Sequence, residues 1–267
     1  MNMFLHELKA MRKSAAIWAA SLIALAVIFL SIYPSMANDA ADYKKLLSNY
    51  PETVRAMLGI NLDYITSILG FYSMSFSFIL LCGAVQAMNL GVAILSKESR
   101  ERTADFLLVK PVSRVSIVTA KLSAAFTSIV ITNVVFYAAA YVIANIVKTS
   151  NYDSKRFFMI NLTMFFIQLI FIALGVLVSV FFKKLKSVLP ISLGVVFGLY
   201  MIGALISTDK NNALTRFISP FKYFDTTYII KNGSYESSYL IVSLIIILIS
   251  VLISYVVYIK KDIHAVS

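Results

Sequence analysis

Six stretches of this chain contain no charged residue, and each has about the length that crosses a bilayer. They run from Ala15 to Tyr33, Ile65 to Leu95, Leu122 to Val147, Phe157 to Phe182, Val188 to Ile206 and Tyr239 to Ile259. A hydrocarbon core of about 30 Å needs about 20 apolar residues of helix. None of the runs shows the ten-residue alternation of barrel strands, and open sheet edges are not viable in lipid. The composition agrees: 60% of residues are hydrophobic and 14% charged, against about 25% charged in soluble domains. The expected fold is therefore an all-α membrane protein, one transmembrane domain over residues 1–267 with spans at 15–33, 65–95, 122–147, 157–182, 188–206 and 239–259. The second run exceeds the bilayer thickness, so it is expected to tilt or project.

A basic start, an apolar run and Ser35-Met36-Ala37 imitate a cleaved signal peptide. The run is longer than an ordinary signal h-region and five more follow it, so a retained anchor is expected. With the N-terminus inside, the inner segments carry 14 Lys and Arg and the longer outer segments carry 10. The positive-inside rule then places both termini in the cytoplasm. Topology and anionic lipid thus account for the net charge of +11 without nucleic acid. The heavy use of Ile, Lys, Asn and Tyr fits an AT-rich bacterial genome, and hence a bacterial plasma membrane.

Chemistry is sparse. Both histidines, His6 and His264, lie outside the apolar runs, and Cys82 is alone. No catalytic residue or metal site is expected, because an intramembrane base, metal ligand or disulfide framework has nothing to be built from. No G-x-x-x-x-G-K-[ST] occurs, and Gly91-Val-Ala-Ile-Leu-Ser96-Lys97 lacks the second glycine of a phosphate loop. No Asp, Glu, Lys or Arg sits in a span centre, which argues against ion-coupled secondary transport and favours an amphipathic or lipophilic cargo. The polar residues within spans are Gln86, Asn89, Thr132, Asn133, Asn161, Thr163 and Gln168. Facing lipid would be costly for each, so they are expected to line a substrate pathway or a helix interface. Gly194-x-x-x-Gly198 would permit close helix approach, but glycine is common in membrane helices and no dimer seam follows from it.

Two cytoplasmic segments stand out. Residues 1–14 place Phe4, Leu5, Leu8 and Met11 beside Lys9, Arg12 and Lys13. That suits an amphipathic helix in the interface, or a basic flank that fixes topology. The loop SKESRERTADFLLVKPVSR is charged in its first half, then exposes Phe106, Leu107 and Leu108 before Pro111. A helix over Lys97–Val109 would set Arg102, Asp105 and Phe106 on one side of a short rod, either to dock a soluble partner or as a solvated loop.

The run Glu98-x-x-x-Arg102-Thr103-Ala104-Asp105-Phe106-Leu107-Leu108-x-x-Pro111-Val112-Ser113-Arg114 resembles a segment of type-2 ATP-binding-cassette (ABC) permeases. It departs from them at Arg102, where the family commonly has Gly, and at Asp105, where it has Glu. Ser219-Pro-Phe-Lys-Tyr-Phe-Asp225 is similar to a stretch these permeases carry before their last span. The resemblance implies a permease dimer, with a second copy or a homologue, working with two cytoplasmic ATPases. ATP and Mg2+ would sit on the partner, leaving no cofactor in this chain. Residues 97–109 would be the coupling helix, with Glu98, Arg102, Thr103, Asp105, Phe106 and Leu107 contacting the ATPase. Residues 209–236 would form short re-entrant outer helices. The aromatic residues Phe217, Phe221, Tyr223, Phe224 and Tyr228 suit the membrane interface in their own right. Function is accordingly expected to be export driven by a separate ATPase. The competing readings are a non-transporting immunity or sensor partner, a self-contained channel or secondary carrier and, weakest for want of His and carboxylates, a membrane enzyme.

Overall fold

The computed structural model describes residues 3–101, 113–182, 185, 187–206 and 213–260. Among them the regular structure is helical, without strands. Helix α1 (Met3–Asn38) is followed by two short helices, α2 (Ala40–Ser48) and α3 (Glu52–Met57). The long helices α4 (Ile68–Glu101), α5 (Arg114–Val147) and α6 (Ser154–Phe181) come next, then α7 (Leu189–Ile206). Two 3-10 turns (Ala213–Ile218 and Pro220–Lys222), the short α8 (Thr226–Asn232) and α9 (Ser237–Lys260) complete the order.

Among the described residues five helices, α1, α4, α5, α6 and α9, are long and apolar enough to cross a membrane. The expected fifth span corresponds to α7, whose 18 residues reach only about 27 Å at 1.5 Å per residue. Residues 3–14 and the first span are one unbroken helix of 36 residues, because neither Gly nor Pro interrupts the chain before Pro34. Similarly, Lys97–Glu101 continue α4, and the rest of the expected rod, 102–109, lies outside the described residues. Other boundaries follow local capping. The Ser113 hydroxyl accepts from Ser116 N at 3.1 Å to start α5, eight residues before the expected edge. Asp153 accepts from Lys155 N at 2.8 Å and Arg156 N at 3.2 Å to start α6.

Helices α4 and α6 form the centre. In their most apolar windows 67% and 61% of residues are buried, against 17% in α9 and 22% in α1. Two glycines permit this. A Cβ on Gly91 would collide with the Ile172 carbonyl oxygen, and one on Gly175 would meet Met88 O at 2.7 Å and Gly91 Cα at 3.0 Å. The backbones therefore touch where side chains elsewhere hold helices 8–10 Å apart. Gly194 and Gly198 have no atom of the described residues within 4 Å of an added Cβ, so that motif lies on a face the described residues leave open. Tyr72, Phe76, Phe157 and Phe171 fill the α4–α6 seam, all at most 2% exposed.

Candidate functional site

Four helix ends meet at one end of the bundle: the starts of α1 and α5 and the ends of α4 and α9. Lys121, on the second turn of α5, is fully buried there. Its ammonium lies 3.3 Å from Glu7 Oε1 on α1 and donates to the Ile94 carbonyl of α4 at 2.8 Å. Arg114 donates to the Ile259 carbonyl of α9 at 2.9 Å. This overturns one expectation. Lys121, counted above among the basic residues of the inner segments, belongs to α5, so the bundle encloses a charge pair near its end.

Deeper in the bundle, the polar residues singled out from the sequence sort into groups. Gln168 of α6 donates to Gln86 Oε1 at 3.1 Å and to the Gly83 carbonyl at 3.3 Å. Its own Oε1 accepts from Asn133 of α5 at 2.5 Å, and Gln86 reaches Thr132 at 3.3 Å. Three helices are thereby joined at one level. Two turns away, Asn161 accepts from the Tyr72 hydroxyl at 2.7 Å and anchors its own amide on the Phe157 carbonyl at 2.8 Å. Asn89 joins neither group. It lines a cavity of about 240 Å³ between α1, α4 and α5.

At the opposite end of the bundle the segment before α9 folds onto the helices. Arg216 pairs with Glu236 through two bonds, 2.8 Å and 3.3 Å, donates to the Lys222 carbonyl at 3.0 Å, and stacks 4.3 Å over the Tyr239 ring. Burial opposes the guanidinium's charge, but the bond and charge of Glu236 more than offset it and raise the pKa above its ordinary value. Burial lowers the Lys222 ammonium, with Asp225 opposing. Two of the five aromatics expected at the interface pack inward, while Phe217 stays exposed. Tyr223 and Phe224 are buried, Phe224 stacks on Phe166 at 5.3 Å, and Phe221 meets Phe171 and Tyr200. The Tyr235 hydroxyl donates to the Met159 carbonyl at 2.7 Å, and Gly233, at φ +62°, ends α8.

The sequence matches ABC-2 family transporter proteins over residues 1–263, nearly the whole chain. It belongs to the ABC-2 transporter family. No curated protein matches it. As an ABC-2 chain it is a multi-pass permease, a membrane subunit of an ABC transporter, and the family implies association with an ABC ATPase.

The coupling residues expected in this ABC-2 permease divide at the end of α4. The backbone of Glu98 is helical, within α4. Arg102, Thr103, Asp105, Phe106 and Leu107 lie outside the described residues, as do residues 209–212 of the outer segment. Glu7 and Lys121 escaped the reading of the sequence, although a signal for Glu7 was present. It falls on the same helical stripe as Phe4, Leu8 and Met11, which marks it as inward-facing.

Proposed function

We propose that this chain is the membrane subunit of an exporter, moving an amphipathic or lipophilic cargo (a peptide, drug or lipid) outward across a bacterial plasma membrane. Two permeases would pair with two cytoplasmic ATPases that bind ATP and Mg2+, and both termini of each permease would be cytoplasmic. Residues 97–109 would couple the two halves, with Glu98, Arg102, Thr103, Asp105, Phe106 and Leu107 meeting the ATPase. All six apolar helices would cross the membrane, and residues 209–236 would dip into the outer leaflet.

The observation that carries this reading is the continuity of α4. One helix runs from Gln86, in the polar network, to Glu101, at the threshold of the coupling segment. Fifteen residues of helix span about 22 Å, so a push at its end would reach the network as rigid-body movement. The Glu7–Lys121–Ile94 contact would carry α1 and α5 with it.

The test is to purify the tagged chain in mild detergent from its native membrane, beside Phe106→Asp and Glu98→Lys variants. A stoichiometric ATPase should copurify with the parent, be lost with Phe106→Asp, and remain bound but less stimulated with Glu98→Lys. An ATPase retained at full yield by Phe106→Asp would overturn the coupling assignment. Transport by the reconstituted chain alone would favour a channel or carrier.

A further inference from the structure

Polar side chains on membrane helices can turn back onto their own backbone, and several here do. Asn133, Asn145 and Asn161 each donate to the carbonyl four residues earlier, at 2.8–2.9 Å. Thr119, Thr127 and Thr132 of α5 do the same with their hydroxyls, at 2.8–3.0 Å. Asn89 of α4 and Ser128 of α5 do not. Neither side chain has a hydrogen-bond partner among the described residues, and Ser128 is only 4% exposed. Both line the cavity of about 240 Å³ between α1, α4 and α5. They also share a level, because α4 and α5 run antiparallel and Gln86 meets Thr132 about one turn further in.

The cavity opens near Glu7 and Lys97, whose charges cancel, and Glu7 is already answered by Lys121 at 3.3 Å. Leu90, Ala93 and Ile94 make an apolar throat, and Asn89, Ser128 and Gln86 make the inner end, with Trp18 on the facing wall. Gln86 is committed to Gln168 and Thr132. An open amide and an open hydroxyl behind an apolar throat are costly at this depth unless an occupant meets them. Water alone fits poorly, since each molecule needs two to four polar partners and the throat offers none. The space also exceeds the roughly 150 Å³ that holds benzene.

The groups at the inner end select a chemistry. A side-chain amide presents a donor and an acceptor side by side, and another amide satisfies both at once. A charged head would find no counter-ion among the residues at the inner end, and a pure hydrocarbon would leave amide and hydroxyl unmet. We propose that this cavity binds an uncharged, largely apolar molecule that carries an amide, such as a capped apolar amino acid or peptide end. The ligand's amide pairs with Asn89, Ser128 supplies a further bond, and the apolar part lies along Leu90 and Trp18. Under the exporter reading, on which this last step rests, such molecules are the cargo.

The chain has one tryptophan, and it lines the cavity, which supplies the readout. N-acetyl-4-bromophenylalaninamide is titrated into the purified chain in mild detergent, with the corresponding free acid in parallel, and quenching of Trp18 emission by the bromine is followed. The amide should quench saturably, with about tenfold higher affinity than the acid. Asn89→Leu should weaken the amide about tenfold, the size of one or two hydrogen bonds, and Ser128→Ala about threefold. Ser21→Ala, on α1 outside the cavity, should bind as the parent does. Quenching that never saturates, equal affinity for amide and acid, or parent affinity in both Asn89→Leu and Ser128→Ala would overturn the site. Should Asn89→Leu fail to fold, Ser128→Ala decides. With the copurified ATPase present the amide should also raise ATP turnover, and binding without stimulation would overturn the cargo step alone. Trp18 quenching needs no ATPase, so its failure and that of the coupling experiment are told apart.

Discussion

Lys121 Nζ lies 3.3 Å from Glu7 Oε1, and the two side chains are 1% and 10% exposed. A single ammonium thereby ties α1 to α5, and through the Ile94 carbonyl to α4 as well. Removing one member of such a pair leaves the other charge buried and uncompensated. Lys121→Met and Glu7→Gln should each destabilise the chain by about 3–5 kcal/mol, whereas Lys121→Met with Glu7→Met should cost less than either alone. Thermal unfolding in detergent checks this, and a double variant weaker than both singles would show that the pair stabilises the fold on balance.

That pair also marks where the sequence stops being legible. Apolar runs announce helices because lipid excludes charge, so the runs for α1, α4, α5, α6 and α9 could be read directly. Their ends could not. Counting basic residues assigns Lys121 to a loop because a lysine normally ends an apolar run. Only the Ser113 cap, eight residues upstream, reveals that α5 has already begun. Likewise Gln86, Asn133, Asn161 and Gln168 could be recognised as inward-facing from their cost in lipid. Which of them meet depends on the α4–α6 register, fixed by a glycine contact of long sequence separation that no local pattern encodes.

The glycine contact gives the second prediction. Gly91→Val would drive side-chain atoms into the Ile172 carbonyl, and the seam around it is already filled. Overpacking of this kind costs about 1–3 kcal/mol. Gly194→Val, on the open face of α7, should leave the melting temperature of the monomer unchanged. Equal melting of both variants would mean that the α4–α6 approach is looser than described.

The polar network should behave as a unit. Gln168 bonds to both Gln86 and Asn133, so Gln168→Leu removes one bond from each of two neighbours at once. A double-mutant cycle with Asn133→Leu should return a coupling of about 0.6–1.7 kcal/mol, the range for bonds between membrane helices. Strict additivity in thermal unfolding would mean the 2.5 Å contact carries no net energy.

The segment before α9 depends on one guanidinium. Arg216 makes two bonds to Glu236, a third to the Lys222 carbonyl, and lies over the Tyr239 ring. It therefore holds the first 3-10 turn, the second and the head of α9 at once. Lysine offers a charge but not the planar fork, so Arg216→Lys is not conservative here. It should release the bidentate bond, the stacking and the carbonyl contact together. Amide hydrogen exchange over residues 216–236 should quicken in Arg216→Lys, while α4 and α6 keep their protection, since the Gly91–Gly175 seam is untouched. Glu236→Gln retains an acceptor for one bond and should produce a smaller change. Exchange in Arg216→Lys that stays at the parent rate would place the burden on the buried aromatics instead, with Phe166 against Phe224 and the Tyr235–Met159 bond sufficient to hold the segment without its ion pair.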